Sequence, residues 1–240
     1  MKRIINLATY GNDRYIISKK RIKREAEDFG VFNNIHICGP EDLSEEFKEK
    51  FKDILSVKKG GGFWIWKPYI INKLLEQMND GEYLVYIDSG CTINSNGLER
   101  FNQYLDMLDN SEYGFLGFQM RFQEKYWTKQ EIFHYFKIDR ESEIGNSGQY
   151  HATIFMLKKN EHSQKVVKMW LDILNKRPVL FTDTTRRKGR IKRFVDTRHD
   201  QSILSFCCKI LGCCTIKDET FYKDWYNGRH IPFLATRIRL

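Results

Sequence analysis

The chain has 240 residues, 41% of them hydrophobic and 14% aromatic, which excludes a disordered segment and suffices for a full core. Lysine and arginine outnumber aspartate and glutamate by 40 to 31, a net charge of +9 that suits nucleic acid, an anionic membrane face or a phosphorylated substrate. No apolar run approaches the roughly 18 residues that span a bilayer. The opening MKRIINLATYGND is too short in apolar residues for a signal peptide and lacks a small-residue cleavage site.

Residues 3–9 read as a first strand, followed by a turn at Tyr10-Gly11-Asn12-Asp13. A helix over 14–29 ends at Gly30, which supplies the left-handed cap. NNIHICG reads as a second strand, and Pro40 to Lys52 as a polar helix or loop. The most informative stretch runs from Gly60 to Ile93, GGGFWIWKPYIINKLLEQMNDGEYLVYIDSGCTI. It predicts a glycine-rich turn, a helix opening at Pro68, a tight turn at Asp80-Gly81 and a strand ending in Asp88-Ser89-Gly90. Proline at a first helical position loses no intrahelical bond. EYLVYID is apolar on both faces, as a strand buried in a layered α/β sheet must be. An acidic residue at its carboxyl end, followed by small residues, lies where open α/β sheets bind ligands.

A helix over 97–108, the strand YGFLGFQ and a short helix or lid in KQEIFHYFKI come next. The strand HATIFMLKK and the amphipathic helix SQKVVKMWLDILNK follow. Arg186, Arg187, Lys188, Arg190, Lys192 and Arg193 then crowd into one segment, read either as a solvated mobile loop or as a peripheral contact to an anionic surface. No aromatic residues interleave it, so it lacks the stacking platform of a single-strand binder. The helix RHDQSILSFCCKIL, the short strand CCTIKD and an aromatic tail close the chain. This alternation predicts one α/β domain over 1–240, a mostly parallel sheet flanked by helices, without repeat or linker. Cys38 and Cys91 stand singly, Cys207-Cys208 and Cys213-Cys214 are adjacent pairs, and no C-x-x-C spacing points to zinc. Buried free thiols in a reducing, cytosolic compartment are the expectation.

Four blocks occur in order: LATYGN, WKPYIINKLLEQMNDGEYLVYIDSG, GNSGQYHATIFMLKKN and RHDQSIL. Together they resemble the small GT-A-fold glycosyltransferases of the capsule and lipopolysaccharide type, viral ones included. More distantly they are similar to the glycogenin and lipooligosaccharide galactosyltransferase group. The resemblance implies a single-domain, Rossmann-like GT-A fold. It also implies transfer of a sugar from a nucleotide-diphosphate donor, with uridine as the expected base, to a hydroxyl of a glycan or glycolipid acceptor, assisted by Mn2+ or Mg2+.

Residue by residue, the resemblance puts the nucleoside against Thr9 and Tyr10 and the diphosphate against Lys67. Asp88 would bind the metal and, with Ser89, face the donor. Gln149 and His151 would touch the sugar. In the tail DWYNGRHIPF, Arg229 would grip the pyrophosphate and His230 complete the metal site. Asp200 would hold acceptor or donor-sugar hydroxyls, or serve as base in an inverting enzyme, and Gln201 would lie near the anomeric carbon in a retaining one.

The family's Asp-x-Asp is here Asp88-Ser89-Gly90, with no second aspartate. One carboxylate with phosphate oxygens and water can hold a divalent ion; the other reading is that Asp88 caps the strand end and Ser89-Gly90 turns the chain. Lys67 stands at a helix start, where free amides and the dipole favour anions. Trp64 and Trp66 read as core, the other reading being a wall for the sugar or base, Asp200 as compatible with an N-cap, and a lone His230 equally as a surface residue. Two rival functions remain open, a basic module binding nucleic acid or an anionic surface, and a nucleotidyltransferase. The latter usually needs a glycine-rich basic loop, of which Tyr10-Gly11-Asn12-Asp13-Arg14 is a poor version.

Overall fold

The computed structural model describes residues 2–183, 194–221 and 225–238; the basic run Arg186 to Arg193 lies outside the described residues. Eight strands occur among them: β1 (Ile5–Tyr10), β2 (Asn34–Cys38), β3 (Tyr83–Ile87), β4 (Thr92–Ile93), β5 (Phe115–Gln123), β6 (Gly148–Lys158), β7 (Cys214–Lys217) and β8 (Phe233–Leu234). Six form one sheet in the order β2-β1-β3-β6-β5-β7. β1 is parallel to β2 and β3, and β7 is parallel to β5. Only β6 runs against its neighbours β3 and β5, so the sheet is mostly parallel, as expected.

β3 shows why the sheet is covered on both sides. Its five residues are all buried, with Tyr83, Val85 and Ile87 on one face and Leu84 and Tyr86 on the other. The first face meets Ile22, Ala26 and Phe29 of α1 (Ile16–Phe29), an i, i+4, i+7 stripe ended by Gly30 at φ 73°. The opposite face is covered by α2 (Trp66–Gln77), which contributes Ile70, Ile71, Leu74 and Leu75, and by three later helices.

Between them in sequence, α3 (Leu98–Asp109) adds Phe101 and Tyr104 to the first face, and α4 (Gln130–Phe136) adds Ile132 and Phe133 to the second. α5 (Glu161–Lys176) and α6 (Asp200–Leu211) complete the second layer with Trp170, Ile173, Ile203 and Leu204. Each large apolar side chain so buried contributes about 1.5–3 kcal/mol, which fixes the layers.

Three boundaries differ from the sequence reading. α2 begins at Trp66 rather than at Pro68, which sits inside the first turn where its missing N–H still leaves no bond unmade. β5 continues to Gln123, and its register against β6 shifts on either side of Gln119. The two-residue pair β4–β8 has no counterpart in the sequence reading, yet it carries the chain after Leu234 back over the end of β3. All six cysteines are free thiols, and among the described residues no helix is long and apolar enough to cross a membrane.

Candidate active site

A cavity of about 610 Å³ opens at the carboxyl ends of β1 and β3. Its walls come from the turn after β1, the segment entering α2, the end of β3, Ala152 and Thr153 of β6, the start of α6, and Arg237-Ile238.

The segment entering α2 is an unusual backbone. Gly60, Gly61, Gly62, Phe63 and Trp64 all have positive φ, between 55° and 92°. Glycine takes this region freely, but each non-glycine residue there costs about 1–2 kcal/mol. The glycines also permit close approach: a Cβ on Gly62 would meet Leu55 Cα at 2.8 Å and Ile54 O at 3.0 Å. The turn is held by Phe63 N–H donating to Lys59 O (2.8 Å) and by Trp66 Nε1 donating to Gly60 O (3.0 Å). It sets the Trp66 ring on Tyr10, with centroids 3.7 Å apart and planes 13° from parallel.

His199 faces the same turn. It has φ 50°, and its ring lies 5.1 Å from Phe63 and 5.4 Å from Trp64. Its Nδ1 bonds Phe181 O at 2.8 Å, and burial lowers its pKa to about 4, so the imidazole is neutral at pH 7. Strained non-glycine residues gathered at one cavity are a mark of a functional site.

At the cavity floor an ammonium stands between two carboxylates. Lys67, 2% exposed, donates to Ala152 O at 2.8 Å and lies 3.2 Å from Asp88 Oδ1 and 3.0 Å from Asp200 Oδ2. Its Nζ also sits 4.9 Å above the Tyr86 ring, whose hydroxyl donates to Asp88 Oδ1 at 2.6 Å. Burial works against the Lys67 charge, but Asp200 and Asp88 outweigh it and raise the pKa. Asp200 is 6% exposed, and burial pushes its pKa up to about 6 against the pull of Lys67. Asp88, 31% exposed, is the carboxylate that opens to the cavity.

Gln201, next to Asp200, accepts from Ala152 N at 3.4 Å and donates Nε2 to Gln149 Oε1 at 2.9 Å. Gln149 in turn donates to Glu124 Oε2 (2.9 Å) and Thr128 Oγ1 (2.8 Å). Glu124 is fully buried and also accepts from Ser205 (2.5 Å) and from Lys209 Nζ (2.8 Å). This polar chain orients the Gln201 amide from behind.

Of the residues singled out in the sequence, Tyr10, Lys67, Asp88, Ser89, Asp200 and Gln201 line this one cavity. Thr9 is buried behind it, its Oγ1 without a partner among the described residues. Gln149 stands one hydrogen bond further back, and His151 faces Asp218 Oδ2 (3.2 Å) and Thr220 Oγ1 (3.4 Å). Arg229 and His230 are exposed and outside the walls; the Arg229 guanidinium lies over the Tyr226 ring at 4.6 Å. Other contributors were missed, Lys48 on the wall among them. Arg198, His199 and Arg237 line the cavity, and Arg21 of α1 grips the turn after β3 by donating to Ser89 O (3.0 Å) and Cys91 O (2.7 Å). Arg198 and His199 adjoin Asp200 in sequence, the one signal that could have found them.

The expected divalent ion does not fit this donor set. The Asp88 oxygen nearest Lys67 is already taken by an ammonium and a phenol, and Asp200 faces the same ammonium. Among the described residues no group of three His, Cys, Asp or Glu side chains converges. Lys67 stands where a cation shared by Asp88 and Asp200 would sit.

No protein-family profile and no curated protein sequence matches the chain. Among solved structures it is similar to a glycosyltransferase involved in the glycosylation of the major capsid of PBCV-1, with TM-score 0.55 and 10% identity over 96% of this chain and 92% of that one. An active-site Gln-to-Glu variant of LgtC gives TM-score 0.50 and 13% identity over 95% and 86%. The bifunctional glycosyltransferase WbbM gives 0.50 and 10% over 90% of this chain and 38% of its own length. At such identities the likeness is one of architecture: the chain has the GT-A fold of these glycosyltransferases, an α/β sheet, mostly parallel, flanked by helices.

Proposed function

We propose that the protein is a glycosyltransferase that moves a sugar from a nucleoside diphosphate, with uridine as the expected base, onto a hydroxyl of a glycan or glycolipid. The observation that carries this reading is the Asp88–Lys67–Asp200 array at the carboxyl ends of the parallel strands. A buried ammonium shared by a buried carboxylate and a half-buried one is costly to hold in a merely structural place, and the array faces a cavity large enough for a nucleotide sugar.

The Tyr10–Trp66 stack and the left-handed turn offer a rigid apolar wall for the nucleoside. Four cationic side chains, Lys48, Lys67, Arg198 and Arg237, against two carboxylates give the cavity a cationic balance suited to a diphosphate. Asp200, tied to Lys67, is a weak base but a fixed acceptor for sugar hydroxyls. Gln201, held by Gln149, presents a neutral amide beside it. In the transfer an acceptor oxygen forms a bond to the anomeric carbon. The bond from that carbon to the β-phosphate oxygen breaks with its electron pair on the diphosphate, and one proton is released. Charge develops on the departing diphosphate, so fixed cations there stabilise the transition state.

We place this work in a single catalytic domain in the cytosol, a reading that six free thiols support. A thermal-shift panel of nucleoside diphosphates and nucleotide sugars tests the donor; a ligand at 100 times its dissociation constant adds about 2.7 kcal/mol of apparent stability. Sugar transfer by the native chain, lost in Asp88→Ala, is the expected companion result. Salt-sensitive RNA binding with no shift from any nucleotide would sink the proposal.

A further inference from the structure

We infer that this protein neutralises its donor's diphosphate with two arginine side chains, Arg198 and Arg237, in place of a divalent ion. The inference rests on the glycosyltransferase reading above and specifies how that site holds its ligand.

The first observation concerns Gly90, which stands where the resembling family has its second aspartate. A Cβ on Gly90 would lie 3.2 Å from Ile238 O and 3.6 Å from Arg237 Cα. The backbone that carries Arg237 thus crowds the space into which an aspartate would project. That backbone is fastened there: Ile238 N–H donates to Gly90 O at 2.8 Å, and the Thr236 hydroxyl donates to the same oxygen at 3.1 Å. Where the family places a negative charge for a metal, this chain brings up the backbone of an arginine that lines the same cavity.

The second observation is the pairing of like charges. Arg198 is half-buried, its guanidinium 4.2 Å over the Trp127 ring, and it lines the same cavity as Arg237. Burial lowers its pKa and the charge of Arg237 lowers it further, against the opposite pull of Asp196. Among the described residues neither arginine forms an ion pair with a carboxylate, whereas Asp88 and Asp200 are both committed to Lys67. Two guanidiniums lining one cavity, neither held in an ion pair with a described carboxylate, are a receptor for a dianion, which they grip with planar, bidentate forks. A divalent ion entering the same space would meet this pair as well as the Lys67 ammonium.

Calorimetry on the full chain with UDP, or with the diphosphate the panel selects, tests this. Dissociation constants measured in excess EDTA and in millimolar magnesium or manganese are expected to agree within about twofold. Arg198→Gln and Arg237→Gln should each weaken the diphosphate about 10- to 150-fold, the range of a charge-assisted bond, and leave uridine unchanged. Circular dichroism shows whether each variant folds, and Arg198→Lys, which keeps the charge but loses the fork, should fall between native and Gln. A tenfold or greater loss in EDTA overturns this inference and leaves the glycosyltransferase reading standing, as does undiminished diphosphate binding in folded Gln variants. Absence of binding by every nucleoside diphosphate, with and without metal, overturns both.

Discussion

The two sides of the cavity are built on opposite terms. Behind Gln201 the polar groups are saturated: Glu124 accepts from Thr128, Gln149, Ser205 and Lys209, and Gln149 passes the orientation on to Gln201. Across the opening, the rim holds residues in left-handed backbone, a neutral strained His199, and two arginines that form no ion pair with a described carboxylate. A saturated network gains nothing from a ligand, whereas a strained, cationic rim is completed by one. Changes to the first side should therefore be read in stability, and changes to the second in binding. Asp200 stands at the junction, on the first turn of α6 directly after the rim residues Arg198 and His199.

The largest effect is expected at that junction. Asp200→Asn keeps the shape but removes the charge that fixes the sugar, and transfer should fall about 100-fold, the scale of a lost positioning contact. The pH dependence has two signs. Because its folded pKa, about 6, lies above that of an exposed aspartate, Asp200 contributes stability in acid that is lost as the pH rises through 6. Activity runs the other way: the ionised form accepts the sugar hydroxyls, so kcat/KM should decline as the pH falls through about 6. A profile of kcat/KM that holds flat down to pH 4 would separate Asp200 from the reaction.

Next comes the saturated side. Removing the carboxylate in Glu124→Ala strands Lys209, itself lowered in pKa by burial, together with the amide and hydroxyls that Glu124 served. A loss of about 3–5 kcal/mol is expected, as for one partner of a buried pair, read from urea midpoints at constant m. Joint replacement Glu124→Leu with Lys209→Met should recover a large part of that loss. A single-variant loss below about 1 kcal/mol, the level of an exposed pair, would mean that the network is not what holds Gln201.

The sequence carried the layers and half of the site, for physical reasons that can be traced. β3 is apolar on both faces and can be nothing but a central strand, so Asp88 at its end was legible, as was Lys67 by its place at a helix start. Gln149 and His151, placed at the sugar by the resemblance, stand behind the cavity walls instead, on a strand whose register against β5 shifts on either side of Gln119. Arg237 was invisible because a two-residue pairing, Thr92–Ile93 with Phe233–Leu234, brings it home, and so short a strand leaves no periodicity. Arg229 and His230 drew attention as the more familiar ligand types, while the residues that close the cavity lay eight positions further along.

The rim's glycines give a smaller and sharper contrast. Gly62→Ala adds a Cβ 2.8 Å from Leu55 Cα on a φ of 92°, so strain and clash combine to about 3 kcal/mol. At Gly61 the nearest atom to such a Cβ is Asn12 Nδ2, 3.7 Å away, and only the φ of 57° is penalised, by about 1 kcal/mol. Thermal midpoints of the two variants should differ in that order; equal midpoints would show that the turn yields, and that its left-handed run is not rigid.

The smallest effect expected is none at all, and it discriminates between two tails. Arg229 and His230 lie beyond the cavity walls, with the Arg229 carbonyl held by Asn94 Nδ2 at 2.7 Å and its guanidinium spread on Tyr226. Arg237 lies on the wall, eight residues later, on a backbone fastened to Gly90. If the tail acts on the donor only through its last residues, Arg229→Ala and His230→Ala leave the affinity for a nucleoside diphosphate within twofold of native. Arg237→Gln loses at least tenfold under the same conditions, about 1.4 kcal/mol. Titrating all three variants with one diphosphate in one buffer makes the comparison direct. A tenfold loss in Arg229→Ala would mean that the tail folds over the ligand upstream of β8, extending the rim to residues that lie outside the cavity walls.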